Sequence, residues 1–398
     1  MTHQESEYVQ LKVPKGMYDL NVGQPCPQLL PLELLSSADR THIKDPTFLQ
    51  YAAQQGYLSF RKELAAFLSS ETGHGTGADE LLITAGNSSA IHLIGTHVAG
   101  ACNTRPLALV ESPTYQFAVN VLKVCGFDIQ TVPVDKDGIV VEEIERLLIE
   151  EKLRPALVFT IPSHQNPTGV SLHPRRRQKL IQLADSHGFH ILADEAYQLL
   201  SFPEAGTDLA LAAEDTTEQG VVFTIGTFSK IFAPAIRLGW VQGRPPLTQK
   251  LSEHPMLISG GGMNSVMAGW IEPLMKNGAV QTYLQDLRQQ LFLRYRHLFR
   301  AVREKLPEIQ VITDPSGGYY LWCKLPEKLD SLPLFELATQ KYNVSFRPGT
   351  RCHTSADYLR LCFAYHTPEE IDKGVELLAS AYEEYKNSLF PRAKPRGK

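Results

Sequence analysis

No stretch of this 398-residue sequence approaches the roughly 18 consecutive apolar residues that a membrane-spanning helix needs. The first twenty residues, MTHQESEYVQLKVPKGMYDL, contain Glu5, Glu7 and Asp19 and no apolar run. They read as neither a secretory signal nor an Arg-rich, acid-poor transit peptide. Excess positive charge is missing too: the formal net charge is −4, whereas a nucleic-acid partner calls for a basic domain. Cysteine is sparse and unpatterned. Cys26, Cys102, Cys125, Cys323, Cys352 and Cys362 form no CxxC pair and no regular ladder. That spacing excludes a disulfide framework and a zinc site, and makes a reducing compartment, the cytosol, the expectation. Internal repeats and low-complexity segments are also lacking, and the basic tail PRAKPRGK reads as a frayed end.

What is present is an ordinary globular composition, 43% hydrophobic and 21% charged, in a chain long enough for two domains. Four short apolar runs read as strands: LALVE (107–111), ALVFTI (156–161), FHILAD (189–194) and VVFTIG (221–226). Helical patterns such as 172–187 lie between them. That alternation implies an α/β fold whose mostly parallel sheet is covered by helices on both faces, with ligands at the carboxyl ends of the strands. After about 284 the texture changes to a long Arg-rich helix (284–305), strands at 311–313, 319–324 and 359–364, and a closing helix from 368 to about 386. We expect a large domain at 45–284, a small α+β domain at 285–398, and an N-terminal arm, 1–44, that joins the small domain.

Three successive strand candidates run out into polar sequence: SHQNPTG (163–169), ADEAY (193–197) and GTFSK (226–230). Asn166 and Asp194 are 28 residues apart, and Asp194 and Lys230 are 36 apart. Each spacing suits one strand–helix–strand crossover, so an amide, a carboxylate and an amine can meet over one sheet edge. Pyridoxal phosphate (PLP) chemistry asks for those groups. Lys230 would carry the cofactor as a Schiff base, Asp194 would keep the pyridine nitrogen protonated, and Asn166 and Tyr197 would donate to the ring oxygen. The cofactor phosphate needs a helix N-terminus with small residues. Gly86, Asn87 and Ser88, in LLITAGNSSAIHLIG, provide one; Thr227, Ser229 and Arg237 could complete the cradle.

Taken in order, NPTG, DEAY, and SK with an arginine seven residues on resemble the class I/II aminotransferases of PLP fold type I. ILADEAYQLLSF, GTFSKIFAPAIRLGW and SGGGMN are similar to the branch that holds 2-aminoadipate and kynurenine aminotransferases. The resemblance spans about 21–378 and implies the aspartate aminotransferase-like fold. It implies that Tyr115 stacks on the pyridine ring, Arg360 grips the substrate α-carboxylate, Gly23 lines that pocket, and Tyr51 reaches the phosphate of the neighbouring subunit. The implied enzyme is a homodimer with shared sites, moving an α-amino group from an L-amino acid to a 2-oxo acid such as 2-oxoglutarate. Cys352, where relatives often carry phenylalanine, and the extra charges Arg347 and Arg351 leave the side-chain pocket open; the role of His164 is open as well. Two rival readings use the same residues. One is a PLP-dependent lyase or decarboxylase, which begins from the same condensation of amino acid with cofactor. The other is a non-catalytic effector-sensing module like the PLP half of certain regulators. Against the second, about 45 residues precede the expected fold, fewer than a winged helix and linker need.

Overall fold

The computed structural model describes residues 13–38 and 49–389. The expected boundary at 44/45 and the tail 391–398 lie outside the described residues. Strand β1 (Tyr18–Asp19) comes first, and the next eight strands build one sheet: β2 (Leu81–Thr84), β3 (Leu107–Ser112), β4 (Asp128–Asp135), β5 (Gly138–Ile139), β6 (Leu157–Thr160), β7 (His190–Asp194), β8 (Val222–Thr227) and β9 (Gly239–Gln242). Their spatial order is β2-β9-β8-β7-β6-β3-β4-β5. The central pairs are parallel; β9 and β5 run against their neighbours.

The inner strands carry near-continuous apolar runs because both faces are covered. Ala108, Val110, Leu157, Phe159, Leu192, Phe223 and Ile225 pack on one side with the helices Asn87–Gly100 and Gln116–Val124. Leu109, Val158, Ile191, Ala193 and Val222 pack on the other with Val141–Ile149 and Pro174–His187. The expected strands are all present, shifted by a residue or two at their ends.

The second sheet has the order β10-β11-β14-β13, from β10 (Gln310–Val311), β11 (Tyr320–Lys324), β13 (Arg347–Pro348) and β14 (Tyr358–Cys362). A two-residue strand, β12 (Val344–Ser345), pairs in parallel with β1, tying the start of the described chain to this region. The long helix starts at Ala279, earlier than the expected 284, because Gly278 turns the chain with φ +78° just before it. The last helix runs Pro368–Leu389.

Candidate active site

The carboxyl ends of β6, β7 and β8 lie side by side, and the residues that follow them form the site. Asp194 closes β7 and is 5% exposed. Its Oδ1 accepts Asn87 Nδ2 at 2.5 Å and Ala196 N at 3.3 Å. Burial raises the carboxyl to about 6, opposed by those two hydrogen bonds and by the charge of Lys230. Lys230 sits on the one-turn helix Phe228–Ile231, whose start is capped by the Thr227 hydroxyl accepting Ser229 N at 3.0 Å. The lysine Nζ donates to Gly23 O at 2.6 Å and lies 5.5 Å from the ring centre of Tyr319 and 6.0 Å from that of Tyr197. Desolvation lowers this amine to about 8. Gly23 can come this close because it has no side chain: a Cβ there would fall 2.2 Å from Tyr320 Oη.

A helix N-terminus meets a group of hydrogen-bond donors that stand close to the lysine in the chain. Strand β9 runs against both its neighbours, so Thr84 of β2 and Thr227 of β8 both register with Gly239, and the two strands finish level. Gly86, at φ +89°, then opens the helix Asn87–Gly100, in which Ala90 N makes the first intrahelical bond, to Gly86 O. The amides of the first turn therefore have no intrahelical acceptor and attract an anion. Arg237 Nη1 donates to Ser229 Oγ at 3.1 Å, Arg237 Nη2 donates to Ala85 O at 3.1 Å, and Thr227 Oγ1 donates to Ser229 Oγ at 3.0 Å. Gly86, Thr227, Ser229 and Arg237 thus lie together at this helix start. The Ser88 side chain is exposed. The Asn87 side chain turns to Asp194, because a buried carboxylate needs donors.

On the opposite wall, Arg360 of β14 is 7% exposed. It donates from Nη1 to Asn166 Oδ1 at 2.7 Å and from Nη2 to Asn21 O at 2.7 Å, and lies 4.0 Å over the Tyr320 ring; its buried Nε has no partner among the described residues. Asn166 thereby offers its oxygen to Arg360, and its Nδ2 is the end with hydrogens to give. Tyr197 Oη is hydrogen-bonded to Tyr320 Oη at 3.1 Å, so its hydroxyl faces a second phenol as well as the cleft. Tyr115 precedes the helix Gln116–Val124, with its phenol raised to about 12 by burial and by the charge of Asp194. Arg347 stands in register with Arg360 across β13 and β14 and donates to Arg351 O at 3.2 Å. Burial and the Arg360 charge lower its pKa. Arg351 lies 4.5 Å over Phe335. His164 is buried, hydrogen-bonded through Nε2 to Ser201 Oγ at 3.0 Å, and lowered to about 4 by burial. Tyr51 is 85% exposed.

Sequence reading missed Tyr320, which touches Tyr197 and Arg360; its place beside Tyr319 was the available signal. The Tyr319 hydroxyl donates to Lys230 O at 3.0 Å. A buried carboxylate, a desolvated amine and a helix-start anion cradle, set around one cleft, define a PLP-type site. The residues fit that cofactor: Asp194 is a buried acid with few donors, and Gly86 leaves the approach to the cradle open.

Residues 15–378 match the family described as "Aminotransferase class I and II". The chain belongs to that family: it is a PLP-dependent transaminase of the aspartate aminotransferase-like fold. It is 28% identical over 388 residues to aromatic-amino-acid aminotransferase 1 of Thermococcus litoralis, with 95% of this chain and 91% of the relative covered. Among solved structures it is similar to Pyrococcus horikoshii kynurenine aminotransferase in complex with PMP (TM-score 0.82, 27% identity, 93% and 91% of the two chains). It is also similar to the α-aminoadipate aminotransferase of Thermus thermophilus, complexed with N-(5'-phosphopyridoxyl)-L-leucine (TM-score 0.81, 28% identity, 94% of each chain).

Proposed function

We propose that this transaminase moves the α-amino group of an L-amino acid with an aromatic or medium-sized side chain to a 2-oxo acid, with Lys230 as its proton carrier. The observation that carries the reading is one cleft holding the Lys230 amine and the Asp194 carboxylate, with the Arg360 guanidinium across from them. When bound, PLP supplies an aldehyde that links to amino groups and a ring that takes up electron density. Lys230 would hold the cofactor through its amine. Its Nζ would also take up and give back the proton of the substrate Cα, and an amine lowered to about 8 is suited to both directions near neutral pH. Asp194 would keep the proton on the ring nitrogen. Asn166, through Nδ2, and Tyr197 would donate to the ring oxygen, and Tyr115 would stack on the ring. The amides of Gly86, Asn87 and Ser88, with Thr227, Ser229 and Arg237, would hold the phosphate. Arg360 binds the α-carboxylate by its paired N–H groups, beside Gly23 and Asn166.

The same reading makes the molecule a cytosolic homodimer of amino-acid metabolism, in biosynthetic service. Each site takes Tyr51 of the partner subunit, and the small domain comprises 285–398 with the arm 1–44. The aromatic and aminoadipate aminotransferases among its relatives support the range, as do Tyr115 and Tyr319 beside Asp194 and Lys230. Among the described residues no helix is long and apolar enough to cross a membrane. The test is to mix holoenzyme with single amino acids and follow conversion of the cofactor absorbance to the pyridoxamine form. Stoichiometric conversion supports transamination; release of carbon dioxide or an eliminated fragment without it would sink the reading. Borohydride should fix the cofactor to Lys230, and an adduct on any other lysine would refute that role.

A further inference from the structure

Near the end of β3 stands a carboxylate that the reaction above does not use. Glu111 is 1% exposed and accepts three hydrogen bonds. Its Oε1 takes Thr160 Oγ1 at 2.5 Å and Ile161 N at 3.0 Å; its Oε2 takes Gln165 Nε2 at 2.9 Å. Gln165 is saturated in turn. Its Nε2 also donates to Pro113 O at 2.8 Å, and its Oε1 accepts Thr168 N at 2.9 Å and Thr168 Oγ1 at 2.7 Å. These partners fix the amide's orientation, since a flipped amide would set oxygen against oxygen and N–H against N–H. Backbone bonds from Gln165 N to Val170 O and from Gly169 N to Gln165 O close the loop on the same residue. Asn166 follows directly, and its oxygen holds Arg360.

We propose that Glu111 is a positioning residue for the substrate: through Gln165 it fixes the loop that aims Asn166 at the Arg360 guanidinium. The inference rests on the reading of Arg360 as the α-carboxylate site. Its chemistry is a count of acceptors. Three donors converge on Glu111, and a carboxylate can accept from all of them. A glutamine at the same place has one acceptor oxygen. If its NH2 faces Gln165 the loop is released; if it faces Thr160 and Ile161, a buried backbone N–H loses its acceptor. Burial raises Glu111 to about 7, opposed by its hydrogen bonds and reinforced by the charge of Asp194. The other charged groups around it line the same cavity: Arg105, which pairs with Asp128 at 2.9 Å, then Lys123 and His353. His353 is itself lowered by burial and by Lys123. The ionised carboxylate therefore holds the loop above about pH 7, and protonation loosens it as pH falls through that value.

The test uses holoenzyme in single turnovers, with the best amino acid from the absorbance screen and with the amine made by removing its α-carboxylate. Glu111→Gln should raise the apparent constant for the amino acid about tenfold at pH 8 and leave that for the amine nearly unchanged. Gln165→Ala should do the same with Glu111 intact, which keeps the test open if the first variant fails to fold. The double variant should be no worse than the worse single, because both act through one contact. In the wild type and in His353→Gln, the amino-acid constant should climb as pH falls through about 7; in Glu111→Gln it should stay level. Additive effects, equal losses for amine and amino acid, or a level wild-type profile would overturn the proposal. A wild type that binds the amine as well as the amino acid sinks the Arg360 reading and this inference with it. A preference for the acid that neither variant disturbs sinks the inference alone.

Discussion

Asp194 sits where its ionised form is costly, and that cost can be measured. Its carboxyl is raised from 3.8 to about 6 in the folded chain, chiefly by burial. A group raised on folding favours the fold below its unfolded pKa, and that contribution is lost as pH rises through the folded value. In the cofactor-free protein the loss should be on the order of 2–3 kcal/mol, complete above about pH 7. Asp194→Asn keeps an oxygen for Asn87 and Ala196 without the charge. The cofactor-free variant should therefore melt higher than wild type at pH 8, with the gap closing toward pH 4, while the holo variant loses most of its half-reaction rate. Equal melting curves at pH 8, or a rate near wild type, would show that Asp194 is neither strained nor the ring's partner. Arg360→Lys belongs to the same scale. A point charge cannot reproduce two parallel N–H donors, so the constants for amino acid and oxo acid should both rise while the rate at saturation changes less. Equal effects on an amine without a carboxylate would remove Arg360 from that role.

At the scale of elements, the positions of candidate residues at the end of a strand were legible in the sequence. Asp194 and Lys230 each follow an apolar run whose burial on both faces dictates a central strand, and the loop after such a strand faces ligand. The helix-start cradle was legible for the same kind of reason, since Gly86 marks the turn from β2 into a helix. Contacts that depend on how distant elements dock were not. Asn87 meets Asp194 across 107 residues, and Arg360 meets Asn166 across 194; no local spacing encodes either. Glu111 was read only as the last residue of a strand, because its partners at 160, 161 and 165 become neighbours only once β3 and β6 pair. The cradle yields its own prediction. Gly86 holds φ +89°, and a Cβ there would lie 2.7 Å from Arg237 Nη2. Gly86→Ala should cost about 1–3 kcal/mol through backbone strain and push Arg237 from its place. Cofactor titration should show weakened binding in step with a lower melting temperature; unchanged cofactor affinity would place the phosphate elsewhere.

At the scale of the whole molecule, the question is whether one chain makes one site. Tyr51 is 85% exposed, an unusual state for a tyrosine with a proposed role in binding. A two-fold dimer resolves this reciprocally, since each subunit both gives and receives the same residue. Losing a hydrogen bond to a charged phosphate should cost about 1.5–3 kcal/mol in cofactor affinity. That loss alone does not separate a shared site from one within a single chain, but mixing variants does. We would combine an inactive Tyr51 variant with inactive Lys230→Ala and allow subunits to exchange. In a shared-site heterodimer one site collects both lesions, and the other joins an intact Lys230 to an intact tyrosine from across the interface. The intact site should restore up to about half of the wild-type activity per dimer. If Tyr51 served its own chain, each site of the heterodimer would carry one lesion and activity would stay at the level of the parents. Verified exchange without recovery, or a fully active monomer in sedimentation, would overturn the shared site.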